Sequence, residues 1–188
     1  MNILHIDSCP LGDHSPSRQL TAHALAALLD AAPSACVVYR DLAAAPLSHV
    51  SGPLMQAMRG QWNQDIPMGN ELRAEVLQSE SLLQEFVDSD VLVLGAPLSN
   101  FSAPSTLKAW LDRLLLAGTA VNAGAHLPPD MVRNKRVLLV STPSHVLGEE
   151  PAMMAALESH VRTVFRHIGV SNVETFHPEQ AVQVRQAA

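Results

Sequence analysis

Three serine hydroxyls, those of Ser8, Ser15 and Ser17, stand just before an apolar helical pattern near the start of the chain. Ser15-Pro16 carries two signals for a helix start, because a serine side chain can cap a helix and a proline tolerates the first helical position, where its missing N–H is not needed. A helix N-terminus has free N–H groups and a partial positive charge, so nearby hydroxyls suit it to bind one phosphomonoester. The residues equally allow the simpler interpretation that Ser15 only caps the helix.

A second group of polar atoms follows a short, fully apolar run at residues 91–94. The segment 95–101 (GAPLSNF) leads into a helical pattern that begins near Pro104. A backbone loop at the end of a strand, with one amide side chain such as Asn100, can hydrogen-bond the polar edge of a flat heterocycle. Such loops also occur as plain connections between a strand and a helix, and the residues leave both interpretations open.

Other chemistries lack their sequence signatures. The chain contains no GxGxxG or GxxxxGK[ST] loop for a dinucleotide or nucleoside triphosphate, and no GxSxG turn for an esterase. Its histidines form no HExxH motif. His160 and His167 share a helix face, but two turns separate them by about 10.5 Å, which is too far for one ion. The sequence therefore predicts no metal site.

The elements that must position these loops alternate regularly along the chain. Apolar runs predict five strands, at residues 2–7, 36–39, 91–94, 137–140 and 172–176. Three- and four-residue periodicity predicts helices at residues 16–29, 71–86, 104–117 and 150–168, and a short one at 53–59.

This alternation predicts an α/β fold, with a doubly wound, five-stranded parallel sheet between two layers of helices. Ligands in such folds bind outside the carboxyl ends of the strands. The loops at residues 8–17, 97–105 and 141–147 should therefore meet at one edge of the sheet. A chain of 188 residues suits one domain, so we expect residues 1–188 to form a single unit.

Composition limits the partners. Twelve Lys and Arg against 18 Asp and Glu give a net charge of −6. This balance disfavours nucleic acid or an anionic membrane as the main partner. The chain has two cysteines and starts without the long apolar region of a signal peptide, so we expect a reducing, cytoplasmic location.

Four blocks of sequence resemble the FMN-dependent NADH-azoreductase and quinone-reductase family. They are residues 8–20 (SCPLGDHSPSRQL), 40–42 (RDL), 96–101 (APLSNF) and 104–118 (PSTLKAWLDRLLLAG), and the last is the most specific. The blocks occur in the family's order across nearly the whole chain. The resemblance implies a flavodoxin-like fold and a homodimer that holds FMN at the carboxyl edge of each sheet. It also implies two-electron transfer from NADH or NADPH to quinones or azo compounds.

The resemblance also implies roles for particular positions. In the family the first loop receives the FMN phosphate, the loop after strand three runs along the isoalloxazine, and the loop after strand four lies near the flavin pyrimidine. The matching positions are Cys9, Ser15, Pro16, Ser17, Pro97, Leu98, Ser99, Asn100, Phe101, Thr142, Pro143, Ser144 and His145. No catalytic residue is assigned, because the flavin carries the chemistry.

Some positions depart from the family's pattern. Serine is common where Cys9 stands, Met-Tyr-Asn-Phe where residues 98–101 stand, and Ser-Arg-Gly-Gly where residues 142–145 stand. Pro143 has no N–H to donate, so we expect a lower flavin potential unless a protonated His145 offsets the loss. Two alternatives therefore stay open: an FMN-binding electron carrier with little reductase activity, and a degenerate member that has lost flavin and acts as an interaction module.

The helix at residues 104–116 bears on the expected dimer. Its apolar residues cover more than the one stripe needed to face a sheet: Leu107, Trp110, Leu111, Leu114 and Leu115. We therefore expect part of this surface to be hidden between two copies of the chain. Trp110 and Phe165 lie on apolar helix faces, which predicts packing in the core or an interface rather than stacking on a ligand.

Overall fold

The computed structural model describes residues 1–121, 127–143 and 151–176. Its strands are β1 (Asn2–Asp7), β2 (Cys36–Asp41), β3 (Val91–Pro97), β4 (Arg136–Thr142) and β5 (Val173–Thr175). Its helices are α1 (Pro16–Ala31), α2 (Gly52–Met58), α3 (Asn70–Asp88), α4 (Ser105–Val121), α5 (Pro129–Val132) and α6 (Pro151–His167). A single 3₁₀ turn, Gly12–His14, precedes α1.

The strands form one parallel sheet in the order β2-β1-β3-β4-β5. The chain first moves outward from β1 to β2 and then returns past β1 to β3. Strand order therefore reverses between β1 and β3, and the loops that leave these two strands separate there to opposite faces of the sheet. The predicted fold class is confirmed.

Helices cover both faces of the sheet. On one face Ile3, Val93 and Val140 pack with Ala24 of α1. On the other face Leu4, Leu92 and Leu139 belong to a larger cluster that contains apolar residues of α3, α4 and α6. Every residue of β3 is buried, as expected for a central strand of a parallel sheet. The predicted three layers are therefore present.

The observed elements differ from the predicted ones mainly at their ends. Strand β3 continues three residues beyond Leu94 to Pro97, because its backbone stays paired with β4 after the apolar run has ended. Helix α3 runs two residues past Phe86. The short α5 and the 3₁₀ turn were not predicted, since elements of three or four residues show no apolar period.

The expectation of surplus apolar surface on α4 is wrong for four of its five residues, and the fifth, Leu115, is partly buried. Leu107, Trp110, Leu111 and Leu114 are all buried within the chain, at most 1% exposed. Helices α2 and α3 pack against α4 and cover the residues that the sheet does not. This helix therefore gives no argument for a dimer, although dimerisation itself remains a prediction.

Trp110 and Phe165 are core residues in the structure, and the ring of Phe165 lies 5.8 Å from that of Phe86 on α3. None of the helices in the described ranges has the length and apolar character to cross a membrane.

Candidate functional site

Three loops line one cleft at the carboxyl edge of the sheet, with a volume of about 170 Å³. The first loop contributes Cys9, Pro10, Leu11, Ser15 and Pro16; the second contributes Pro97, Leu98, Ser99 and Asn100; and the third contributes Thr142 and Pro143. The sequence placed these loops at one edge from the alternation of strands and helices alone. The cleft lies where strand order reverses, the usual place for a ligand in this architecture.

Most of the residues singled out in the sequence meet in this cleft. Ser17 and Phe101 do not line it, but each is next to a residue that does. Ser144 and His145 lie outside the described residues. The binding roles of all these positions remain predictions.

Ser15 caps α1, with Pro16 at the first helical position, as the sequence predicted. Its Oγ accepts a hydrogen bond from the backbone N–H of Arg18 at 3.4 Å and lies 2.9 Å from the Oγ of Ser17. Both serines are almost fully buried. Two hydroxyls that share one hydrogen bond use only one of their two protons for it, so the pair retains an O–H that can be donated to a ligand.

Ser8 has a different task from the one considered in the sequence. Its Oγ donates to the carbonyl of Gly95 at 2.7 Å, and Thr106 of α4 donates to the Ser8 carbonyl at 3.0 Å. Ser8 thus joins the ends of β1 and β3 and the first turn of α4. These bonds fix the first and second loops relative to each other.

The second loop contains a strained turn that the sequence did not reveal. Ser99 and Ser102 exchange two backbone hydrogen bonds, at 2.8 and 3.0 Å. Between them Asn100 has φ 45° and Phe101 has φ 68°, both in the left-handed region. Positive φ at both central residues is typical of a type I′ turn, where glycine is the usual residue and phenylalanine is strained. The turn leaves Phe101 59% exposed beside the cleft.

The end of β4, where the third loop begins, is held by hydrogen bonds to both of its neighbours. The carbonyl of Thr142 accepts a hydrogen bond from the backbone N–H of Leu98 at 2.8 Å, which ties the second loop to β4. Ser141 donates to Glu158 of α6 at 2.5 Å. The walls of the cleft are therefore held by hydrogen bonds that join β1, β3, β4 and α6.

A charged cluster beneath the first loop was missed in the sequence. Arg18 of α1 lies 2.5 Å from Asp41, 3.3 Å from Asp13 and 3.7 Å from Asp7. Burial alone would raise the pKa of Asp41, but hydrogen bonds from Ala44, Arg18 and Ala43 outweigh it and hold that pKa below its usual value. The nearest signal in the sequence is Arg40-Asp41-Leu42, which was noted only as part of the resemblance.

A larger cavity, about 700 Å³, lies at the opposite edge of the sheet beside the start of β4 and contains none of the predicted site residues. Its buried charge is Lys135, whose ammonium donates to the carbonyls of Phe86, Val87 and Ser89 at the end of α3. Since the ammonium already donates its hydrogen bonds to these carbonyls, it has none left for a ligand, and the smaller cleft is the better candidate for a binding site. Across the described ranges, no three His, Cys, Asp or Glu side chains are arranged to hold a metal ion.

Comparisons with known proteins agree with the fold. The family model described as flavodoxin-like fold matches residues 1–188. A protein of Bradyrhizobium diazoefficiens named FMN-dependent NADH:quinone oxidoreductase 2 is 41% identical over 186 residues, covering 98% of this chain and 89% of that protein. A protein of Methylocella silvestris named FMN-dependent NADH:quinone oxidoreductase is 40% identical over 182 residues, covering 95% and 87%.

A solved structure is also similar over the whole chain. It is an FMN-dependent NADH-azoreductase from Bacillus anthracis in complex with FMN, with a TM-score of 0.77. The match covers 100% of this chain and 97% of the other, at 16% sequence identity. At this identity the similarity establishes the fold.

Proposed function

The chain belongs to the flavodoxin-like fold family, and we propose that it is an FMN-dependent NADH:quinone oxidoreductase that also accepts azo compounds. The observation that carries the proposal is the meeting of three loops in one cleft, with the hydroxyl pair of Ser15 and Ser17 at the start of α1. Relatives about 40% identical over most of the chain bear the name of this activity.

The donor set at α1 fits a phosphate group. Ser15 lines the cleft, and its partner Ser17 lies two residues further along the chain, in the first turn of α1. The first turn of a helix adds N–H groups without partners inside the helix and a partial positive charge. Ser15 and Ser17 would therefore hold the FMN phosphate, with Cys9 and Pro16 enclosing it.

The other end of the cleft fits a flat ring system. Pro97 and Leu98 provide apolar surface, and the amide of Asn100 provides hydrogen-bonding groups at the rim. Thr142 and Pro143 close the opposite side. When bound, FMN supplies two-electron transfer between NADH and a quinone or azo acceptor. The residues of this chain would orient the ring and exclude water from one of its faces.

The cleft is smaller than the roughly 300–1,000 Å³ of most cofactor sites, so it needs another wall to enclose a whole flavin. We infer that a second copy of the chain supplies that wall in a homodimer. Phe101 supports this inference, because a strained turn holds its ring exposed beside the cleft, where a partner could cover it. Light scattering that reports a monomer at micromolar concentration, with FMN bound, would contradict it.

We also propose that residues 1–188 form a single domain, since the family match spans them all. A cytoplasmic location is supported by the two free cysteines, because the exposed thiol of Cys36 suits a reducing compartment.

Two measurements on the purified protein test the proposed activity. Reconstitution with FMN should give a yellow protein with a flavin absorbance spectrum, and that protein should oxidise NADH faster when a quinone is added. A protein that binds no FMN would support the degenerate interaction module instead. A protein that binds FMN but does not speed up quinone-dependent NADH oxidation would be an electron carrier.

A further inference from the structure

One arginine joins three backbone segments around the proposed phosphate site. Arg18 lies in the first turn of α1, and its guanidinium faces three carboxylates. Nη2 is 2.5 Å from Asp41 at the end of β2, Nη1 is 3.3 Å from Asp13 in the 3₁₀ turn, and Nε is 3.7 Å from Asp7 at the end of β1. The side chain thus links the start of α1 to both strand ends and to the first loop.

The carboxylate of Asp7 is enclosed on all sides. The residue is 1% exposed, and it accepts hydrogen bonds from Thr21 at 2.8 Å and from Tyr39 at 3.1 Å. Gly95 of β3 closes the remaining side, since a Cβ there would lie 3.0 Å from Oδ1. A buried carboxylate of this kind requires a nearby positive charge.

Among the described residues, the two buried side-chain nitrogens without a hydrogen-bond partner both face Asp7. They are Nε2 of His5 and Nε of Arg18, at 3.5 and 3.7 Å from Oδ2 of Asp7. That oxygen accepts its hydrogen bond from the hydroxyl of Tyr39 instead. Arg18 therefore acts on Asp7 by its charge and its position, while its strong hydrogen bond goes to Asp41.

We propose that Arg18 is a positioning residue for the FMN phosphate: it fixes the Ser15–Ser17 pair at the sheet edge without binding the phosphate itself. This inference rests on the proposed function. Arg18 follows Ser17 directly in the chain, and its backbone N–H donates to the Oγ of Ser15. Its side chain does not line the cleft.

A second effect is electrostatic. Without Arg18, the carboxylates of Asp7 and Asp41 would lie near a bound phosphate dianion with no positive charge between them. Like charges in a poorly solvated site repel strongly. Arg18 thus keeps the acids that anchor the loop compatible with an anionic ligand. The donors of its planar guanidinium point in different directions and so reach carboxylates on separate segments, whereas a lysine ammonium is a single compact point of charge.

The test compares two ligands that differ only in the phosphate. Dissociation constants for FMN and riboflavin are measured by quenching of flavin fluorescence in the wild-type protein, Arg18→Gln and Arg18→Lys. Arg18→Gln should weaken FMN by about tenfold or more and riboflavin by less than about twofold. Arg18→Lys should recover part of the FMN affinity, because it restores the charge but not the three-way contact.

Arg40→Gln is the matched control. Arg40 also forms a partly buried ion pair, with contacts of 2.5 and 3.0 Å to Glu85, but on the opposite face of β2. Arg40→Gln should change the dissociation constant of neither FMN nor riboflavin. If Arg18→Gln does not fold, Arg18→Gln combined with Asp7→Asn removes the unpaired buried carboxylate, and the double variant should still show the selective loss of FMN affinity.

The outcomes separate this inference from the proposed function. Suppose that the wild-type protein binds FMN. If Arg18→Gln then loses affinity equally for FMN and riboflavin, or for neither, the role of Arg18 is overturned and the proposed function is not. A folded wild-type protein that binds neither flavin would overturn the proposed function, and this inference with it.

Discussion

The hydroxyl of Tyr39 on β2 donates a hydrogen bond to the buried carboxylate of Asp7 on β1, at 3.1 Å. Burial, and then the charge and hydrogen bond of Asp7, raise the pKa of Tyr39 to about 12. Tyr39 is the single tyrosine of the chain, so tyrosinate absorbance reports on this one group. The charged cluster beneath the cleft therefore contains its own spectroscopic probe.

Replacing Asp7 by Asn should lower the pKa of Tyr39 from about 12, because it removes the charge of the carboxylate, while burial still holds that pKa above about 10, the ordinary value for tyrosine. The measurement is a pH titration of tyrosinate absorbance in the folded protein. The wild-type pKa lies above the unfolded value, so the contribution of Tyr39 to stability is complete below about pH 10 and is lost as the pH rises towards 12. Titration of wild-type Tyr39 near pH 10 would refute the coupling to Asp7.

The strained turn of the second loop predicts a stability difference between two variants. Phe101→Gly and Phe101→Ala both remove the exposed ring, but only glycine relieves the positive φ of 68°. The glycine variant should be more stable than the alanine variant by about 1 kcal/mol in urea unfolding of the flavin-free protein. Equal stabilities would show that the turn is not strained at this position.

The hydroxyl pair predicts selective effects on FMN. Ser15→Ala and Ser17→Ala should each weaken FMN about tenfold or more and leave riboflavin nearly unchanged, because a charge-assisted hydrogen bond contributes about 1.5–3 kcal/mol. Ser15→Ala should also cost about 1 kcal/mol of stability, because it removes the cap of α1.

Ser51→Ala is the control for that loss of a cap. Ser51 caps α2, where its Oγ accepts from the N–H of Leu54 at 3.2 Å, and it does not line the cleft. It should lower stability by a similar amount without changing FMN affinity. A similar loss for FMN and riboflavin in Ser17→Ala would mean that Ser17 does not meet the phosphate.

The sequence predicted what depends on local patterns. The apolar run at Val91–Leu94 predicted a buried strand, and Ser15-Pro16 predicted the start of α1. The site edge followed from the order of these elements, because parallel strands all end on the same side.

Features that depend on distant partners were not predictable in this way. Arg18 and Asp41 are 23 residues apart, and the pairing of β1 with β2 together with the packing of α1 on the sheet brings them together. The left-handed turn lacks the glycine that normally announces it, because Asn100 and Phe101 occupy its centre. Apolar counting on α4 failed for the same reason, since the cover comes from helices far away in the sequence.

Lys135 predicts an alkaline change in stability far from the cleft. Burial lowers its pKa to about 8, although the charges of Asp90 and Asp88 oppose the shift. An unfolded lysine titrates near pH 10.4, so between about pH 8 and 10.4 the unfolded state binds more protons and stability rises with pH. The contribution is complete above about pH 10.4 and is lost as the pH falls through 8.

Lys135→Met removes this dependence. The stability gap is the free energy of unfolding of the wild type minus that of the variant, measured in urea. For Lys135→Met this gap should therefore rise from pH 8 to 10.4, by up to about 3 kcal/mol. Lys108→Met is the control, because Lys108 is half exposed and pairs with Asp112 on the same helix, so its gap should stay nearly constant. A Lys135→Met gap that stays constant or falls over this range would contradict the prediction. It would mean that the carbonyls of Phe86, Val87 and Ser89 stabilise the ammonium enough to cancel the effect of burial.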